Sequence, residues 1–264
     1  MKFIRSLPVG ALESLAQALK TGRLKPPYTA FTVAEWAPHA VRESLATELL
    51  SLEARGFTAA TLAITLEALA EDAAARQRAI DQIQLVWTSP GEEGPHVRDT
   101  CVVVAQLLSE ARKSLWISTY NIFEGREVFR PIAEAWPARP ELEVVLILNV
   151  SPDEKEGLYG EDAVEKRARM FWRHHWPWTK MPEVYYDPRG PEKTPDSPAC
   201  QHAKCILVDG TTSFITSANF TESAHERNIE LGMLFRNNPR VADSIQSKFE
   251  SLIQCGFLKR LPGR

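Results

Sequence analysis

The alternation of hydrophobic and polar positions changes period once along the chain, near Gln82. From Pro8 to Gln82 the apolar residues recur at helical spacing. Leu12, Leu15, Ala16 and Leu19 form one face of a first helix, which Gly22 stops. A proline-rich connection through Pro26 and Pro27 follows, and Thr32 with Glu35 has the form of a capping box. Between Pro38 and Arg55 the residues Val41, Leu45, Leu49 and Leu52 share a face, and Gly56 ends that helix. Thr58 is placed to cap the next, which presents Leu62, Leu66 and Leu69. The joint from Gly56 to Thr58 is compatible with a DNA-reading helix-turn-helix. Short joints of this kind more often make a plain helical hairpin that packs on its own domain.

Beyond Gln82 strands alternate with helices. Leu85 to Trp87 reads as a strand ending in the loop Ser89-Pro90-Gly91, and Val97, Cys101, Val104, Leu107, Leu108 and Ala111 keep a helical period. Ser114 to Asn121 reads as a strand, Val128 to Trp136 as a helix and Glu141 to Val150 as a buried strand. Glu161 to His175 is again helical, and Val184 to Tyr186 returns to strand. This order predicts an α/β fold, a parallel or mixed sheet covered by helices on both faces. The predicted organisation is an all-α region over 1–82 and an α/β domain over 83–264. No strand is followed by a GxGxxG turn or a P-loop, so dinucleotide and NTPase chemistry have no support.

Composition narrows the class. A hydrophobic fraction of 44% with 25% charged residues excludes a collagenous, disordered or disulfide-scaffold chain. Net charge is −3, so there is no global basic field and any polyanion site must be local. No apolar run approaches the ~18 residues of a membrane span. Glu13 interrupts what would be a signal peptide's apolar core behind Lys2 and Arg5. A cytoplasmic protein without a membrane partner is the expectation. The cysteines Cys101, Cys200, Cys205 and Cys255 show no CxxC spacing and read as free thiols.

The chemistry concentrates between Gln201 and Asn219. Lys204 to Val208 is a strand, Asp209-Gly210 a hairpin turn, and Thr212 to Ser217 a strand running back. Residues two apart on a strand share a face, which pairs His202 with Lys204 and Ser217 with Asn219. The hairpin thus gathers an imidazole, an ammonium, a hydroxyl and a carboxamide, a set suited to a phosphoryl group. Zinc on Cys200, His202 and Cys205 has suitable ligand types, but the spacing fits no structural zinc class and Lys204 would repel the ion.

This segment resembles the HKD motif of the phospholipase D superfamily. His202-x-Lys204, four intervening residues and Asp209 match its first half, and Ser217-x-Asn219 matches its second. Asn228-Ile229-Glu230-Leu231-Gly232 is similar to the Asn-x-Glu segment that follows the motif in that family. Thr216 stands where the family usually has glycine, which narrows the phosphate site without removing a catalytic group. The resemblance implies a phospholipase-D-like mixed sheet flanked by helices, and a metal-independent phosphodiesterase with no cofactor. It assigns His202 as nucleophile, Lys204, Asn219 and Ser217 as phosphate-binding groups, and Glu230 as acceptor from the second ring nitrogen of His202. Asp209 becomes a buttress at the turn.

The superfamily's reaction uses two facing histidines. His39, His96, His174, His175 and His225 are not followed two residues on by lysine. A single motif therefore implies a homodimer that completes the site across a two-fold axis, with a paralogous partner as the other route. For the substrate, Lys166, Arg167, Arg169, Arg173 and Lys180 lie among Phe171, Trp172, Trp176 and Trp178, with no acidic residue from 166 to 182. Basic groups interleaved with aromatics suit nucleic acid, DNA foremost. An amphipathic helix through Val164, Ala168, Phe171 and His175 explains Phe171 but not Trp176 and Trp178 beyond Pro177. The Ala/Leu-rich head before a single motif also resembles the phospholipase-D-like subunits of the bacterial DISARM anti-phage system, implying contact with other subunits. Two further readings compete with the nuclease: a catalytically weak nucleic-acid-binding or assembly subunit, and a phospholipase.

Overall fold

A computed structural model describes residues 1–89, 100–122, 124–192, 200–219 and 228–263. Pro90, Gly91, His96, Val97 and His225, named above, lie outside the described residues. The chain divides into two compact units, Met1–Asp81 and Gln82–Arg264.

The first unit holds α1 (Val9–Lys20), α2 (Arg42–Ala54) and α3 (Ala59–Asp81). Leu12, Leu15, Leu19, Leu45, Leu49, Leu52, Leu62 and Leu66 are buried in one core, the faces that the spacing predicts. Gly56 takes a positive φ of 91° beyond α2, and Thr58 Oγ1 accepts the Thr61 N–H at 3.2 Å to cap α3. Two expectations are corrected. The main partner of α3 is α1, so α2 and α3 are not a closely packed hairpin. Thr32 caps no helix: its Oγ1 accepts the Thr29 N–H at 2.8 Å within a series of turns, and Glu35 faces Arg23 at 3.7 Å. The two threonines satisfy each other locally, which competes with helix initiation.

The second unit is a mixed sheet flanked by helices. Its strands are β1 (Ile83–Thr88), β2 (Ser114–Thr119), β3 (Glu143–Leu148), β4 (Glu183–Tyr186), β5 (Cys205–Val208), β6 (Thr212–Thr216), β7 (Glu230–Phe235) and β8 (Lys259–Arg260). They lie in the order β1-β7-β6-β5-β2-β3-β4-β8. β2, β3 and β4 are parallel, and every other pairing is antiparallel. The helices are α4 (Thr100–Glu110), α5 (Gly125–Ala135), α6 (Gly160–Met170), which continues as a π-helical turn Phe171–His175, and α7 (Pro239–Gln254).

One sheet face is fully covered. Val86, Leu115, Ile117, Leu146, Val184, Ile206, Phe214 and Leu234 point into a core with Val103, Leu107, Phe129, Ile132, Val164 and Phe171. On the other face α7 lies against β5 and β6, and Leu207, Ser213 and Ile147 are buried. Covering of both faces is not complete: Leu85, Ile215, Leu231 and Met233 on β1, β6 and β7 stay exposed, because one helix spans only half of that face. Among the described residues, no helix is long and apolar enough to cross a membrane.

Candidate active site

Pairing direction brings four strand ends to one edge. β5 runs antiparallel to both β2 and β6, and β7 antiparallel to β6. The carboxyl end of β2, the amino end of β5, the carboxyl end of β6 and the amino end of β7 therefore coincide. This is the crevice beyond the carboxyl ends of parallel strands, where open α/β sheets bind ligands.

His202 is exposed at that edge, and its ring lies 4.9 Å from the Tyr120 ring. Lys204 is buried, with Nζ 3.3 Å from Nδ1 and 3.4 Å from Nε2 of His202, and it donates to the His202 carbonyl at 3.1 Å. Burial pushes the Lys204 ammonium below the usual lysine range, while Glu230 and Cys200 oppose the shift. Holding a charged ammonium there favours an anion beside it. Glu230 is buried too; Ser217 Oγ donates to its Oε2 and Asn228 Nδ2 to its Oε1 at 3.0 Å. Glu230, expected to accept from the His202 ring, accepts here from Ser217 and Asn228, and the β6–β7 pairing holds it against Ser217.

Asn219 Oδ1 accepts the Asn121 N–H at 3.4 Å, next to the tyrosine that packs on His202. Thr216, where glycine was expected from the resemblance, keeps a negative φ, and its Oγ1 accepts the Ala218 N–H at 3.0 Å. Its hydroxyl thus shapes the turn leading to Asn219. Asp209 sits at the opposite end of β5. Its carboxylate accepts the backbone N–H groups of Arg112, Lys113 and Ser114 at 2.7 to 3.1 Å, tying the hairpin to the start of β2. The turn itself needs the left-handed backbone of Asp209 (φ 51°) and Gly210 (φ 64°).

Tyr120, Asn121 and Asn228 complete the group, and the reading of the hairpin alone missed them as site residues. Tyr120 and Asn121 follow β2 directly, so an aromatic-amide pair closing a buried strand was the available signal. Of the cysteines near the hairpin, Cys205 is buried, which pushes its thiol up to about 12. Among the described residues no three His, Cys, Asp or Glu side chains are placed to hold a metal ion.

The basic-aromatic stretch divides, and part of it is corrected. Trp176 is fully buried among Phe129, Trp136 and Trp178, and its Nε1 donates to the Lys180 carbonyl at 2.8 Å. Trp172 is buried with its Nε1 on the Pro262 carbonyl at 2.7 Å, and Trp178 packs half-buried on Trp176. Trp176 is thus core rather than a platform for bases, and the Trp172 ring is largely committed to packing. Lys166 is paired with Asp153 at 2.7 Å and Glu156 at 2.6 Å. Arg169 faces Glu165 at 3.2 Å, and Lys180 lies 4.6 Å from the Trp136 ring. Arg173 remains exposed; with Arg169, Trp172, Pro177 and Gly263 it lines a cleft of about 500 Å³.

Comparison with known proteins adds to this geometry. Residues 104–253 match the family described as "Cardiolipin synthase, PLD-like domain". No curated protein matches the chain. Similar solved structures include the phospholipase D family member Nuc from Salmonella typhimurium, at 20% identity over 67% of this chain and 96% of that one, TM-score 0.42. NucT from Helicobacter pylori is 17% identical over 58% of this chain and 86% of that one, TM-score 0.40. Phosphatidylserine synthase from Haemophilus influenzae Rd KW20 is 17% identical over 68% of this chain and 40% of that one, TM-score 0.43. The family match runs from α4 to the last turn of α7 and takes in more than half of the 264 residues, with His202, Lys204, Asp209, Ser217, Asn219 and Glu230 all inside it. The chain belongs to this phospholipase-D-like family.

Proposed function

We propose that the chain is a metal-independent phosphodiesterase acting on nucleic acid, and that two copies share one reaction site. The observation that carries this is the exposed His202 ring backed by the buried Lys204 ammonium, beside the Ser217–Glu230 pair. A ring nitrogen of His202 attacks phosphorus, and the bond from phosphorus to the leaving oxygen breaks. The partner's His202 gives its proton to that oxygen. Water then attacks the phosphohistidine, the phosphorus–nitrogen bond breaks, and the partner's His202 takes the water's proton. Lys204, Ser217 and Asn219 hold the non-bridging oxygens, and Glu230 orients Ser217 and supports the charge of Lys204.

Nucleic acid, with DNA foremost, is favoured as substrate by the exposed Arg173 and the arginine-lined cleft beside Trp172. The layout of a helical unit ahead of a single-motif unit supports a further assignment. It is that of DrmC, the phospholipase-D-like subunit of the DISARM anti-phage system, working in a bacterial cytoplasm with the other DISARM subunits as partners. The test is hydrolysis of labelled single- and double-stranded DNA, RNA, an aryl phosphodiester and phosphatidylcholine vesicles, all in excess EDTA. Cleavage of nucleic acid but not lipid, lost in His202→Ala, is expected. Cleavage of lipid alone makes the chain a phospholipase. DNA binding without cleavage of any substrate makes it a binding subunit.

A further inference from the structure

The segment that carries the imidazole and the ammonium lies just outside the β2–β5 ladder. β5 begins at Cys205, whose partner on β2 is Ser118, so His202, Ala203 and Lys204 all precede the last paired position. Its three carbonyls are held all the same, two of them by side chains. The His202 carbonyl accepts from Lys204 Nζ at 3.1 Å, and the Lys204 carbonyl accepts the Thr216 N–H at 3.1 Å. The Ala203 carbonyl, between them, accepts two side-chain donors, Gln201 Nε2 at 2.8 Å and Ser118 Oγ at 2.9 Å. Gln201 Nε2 also donates to Ser118 Oγ, so two amide protons and one hydroxyl proton close a triangle on that carbonyl.

The orientation of the Gln201 amide follows from this network. Turned over, it would set Oε1 against the Ala203 carbonyl, two acceptors with no proton between them. As it stands, Oε1 is buried and has no hydrogen-bond partner among the described residues. An amide that leaves its own oxygen unmatched in a buried place calls for an explanation, and what its nitrogen donates supplies one. Ser118 and Gln201 are both buried, so bulk water cannot readily replace either donor.

We propose that Gln201 and Ser118 are positioning residues for the reaction, acting through the Ala203 carbonyl to hold the His202 ring on the Lys204 ammonium. The inference rests on the reading of His202 as nucleophile. Residues two apart share a face only while the backbone between them stays extended, and Ala203 is that backbone. Clamping its carbonyl keeps Lys204 Nζ at 3.3 Å and 3.4 Å from the two ring nitrogens. The clamp also ties the nucleophile to β2. Ser118 stands two residues before Tyr120, whose ring packs on His202, so one strand end sets both the backbone and the aromatic neighbour of that histidine.

The test is steady-state turnover of an aryl phosphodiester in excess EDTA, with kcat and KM measured separately for the full chain. Gln201→Met keeps the length of the side chain and removes the donor. Ser118→Thr and Ser118→Val add the same bulk, but only the threonine keeps a hydroxyl, so their ratio reports the donor apart from any packing change. Far-UV circular dichroism and melting temperature are followed for each variant. The expected result is a folded Gln201→Met with kcat lowered about 10- to 100-fold and KM within about twofold, the mark of a misplaced reacting group. Ser118→Val should turn over about tenfold more slowly than Ser118→Thr. If Ser118→Val does not fold, Gln201→Met decides. Wild-type kcat in Gln201→Met overturns the inference, and so does a loss that appears in KM alone or that only follows a loss of folded protein. Equal turnover in Ser118→Thr and Ser118→Val overturns the part of Ser118. The nucleophile reading fails separately, if His202→Ala turns over as fast as the wild type.

Discussion

The Lys204 ammonium lies 3.3 Å and 3.4 Å from the two ring nitrogens of His202, with the His202 carbonyl accepting one of its protons. A buried cation packed on the ring of a nucleophile offers positive charge where a phosphoryl oxygen would sit.

The first prediction concerns pH. Burial holds the Lys204 ammonium below its ordinary value of 10.5, so its charge is lost as pH rises through that lowered value. The alkaline limb of activity should therefore fall before pH 10.5. Glu230 opposes the shift, and Glu230→Gln should move the limb to lower pH as well as reduce the rate. For stability the sign is opposite to that of a paired lysine. Between the folded and unfolded values the unfolded chain binds the extra proton, so this group makes stability rise with pH across that window. A limb that stays in place in Glu230→Gln counts against the coupling.

Asp209 supports the fold rather than the chemistry. Its carboxylate accepts three consecutive backbone N–H groups at the start of β2. Asp209→Ala should cost about 2–3 kcal/mol in urea unfolding, since charge-assisted hydrogen bonds are lost and a left-handed position is strained. Asp209→Asn, which tolerates that backbone, should cost less. The folded fraction of either variant should keep its activity within about tenfold, unlike His202→Ala.

The core assignment of Trp176 is tested against Arg173. Trp176→Ala should lower stability by about 3–5 kcal/mol, the cost of emptying a large buried site. Arg173→Ala should leave stability unchanged and weaken nucleic-acid binding, with a shallower salt dependence.

These contrasts show what the sequence carries and what it does not. The hairpin from Lys204 to Ser217 and its turn were legible because both depend on neighbours in the chain: alternation, and a residue pair that accepts positive φ. The burial of Trp176 was not, since it depends on Phe129 and Trp136, forty residues or more upstream. Lys166 looked free because its partners Asp153 and Glu156 lie outside the acid-free stretch, brought back by the loop before α6. The engagement of Glu230 with Ser217 needs the β6–β7 register, which spacing alone does not fix. The open half of the second face likewise depends on how far α7 reaches.

Gly232 offers a test of how tightly the site-bearing strands pack. A Cβ there would meet Phe214 Cε2 at 2.5 Å and the Ile215 carbonyl at 3.1 Å. Gly232→Ala should cost about 1–3 kcal/mol, the range for overpacking a filled core. It should also slow turnover through the displaced β6–β7 pair, measured as kcat with little change in KM.

The most direct measurement is intact-protein mass spectrometry of the enzyme quenched during turnover of an aryl phosphodiester in excess EDTA. An added phosphoryl ester group, labile to acid and mapped to His202, is expected in the wild type and absent in His202→Ala. Turnover without any adduct, at the same rate in wild type and His202→Ala, would contradict the phosphohistidine route.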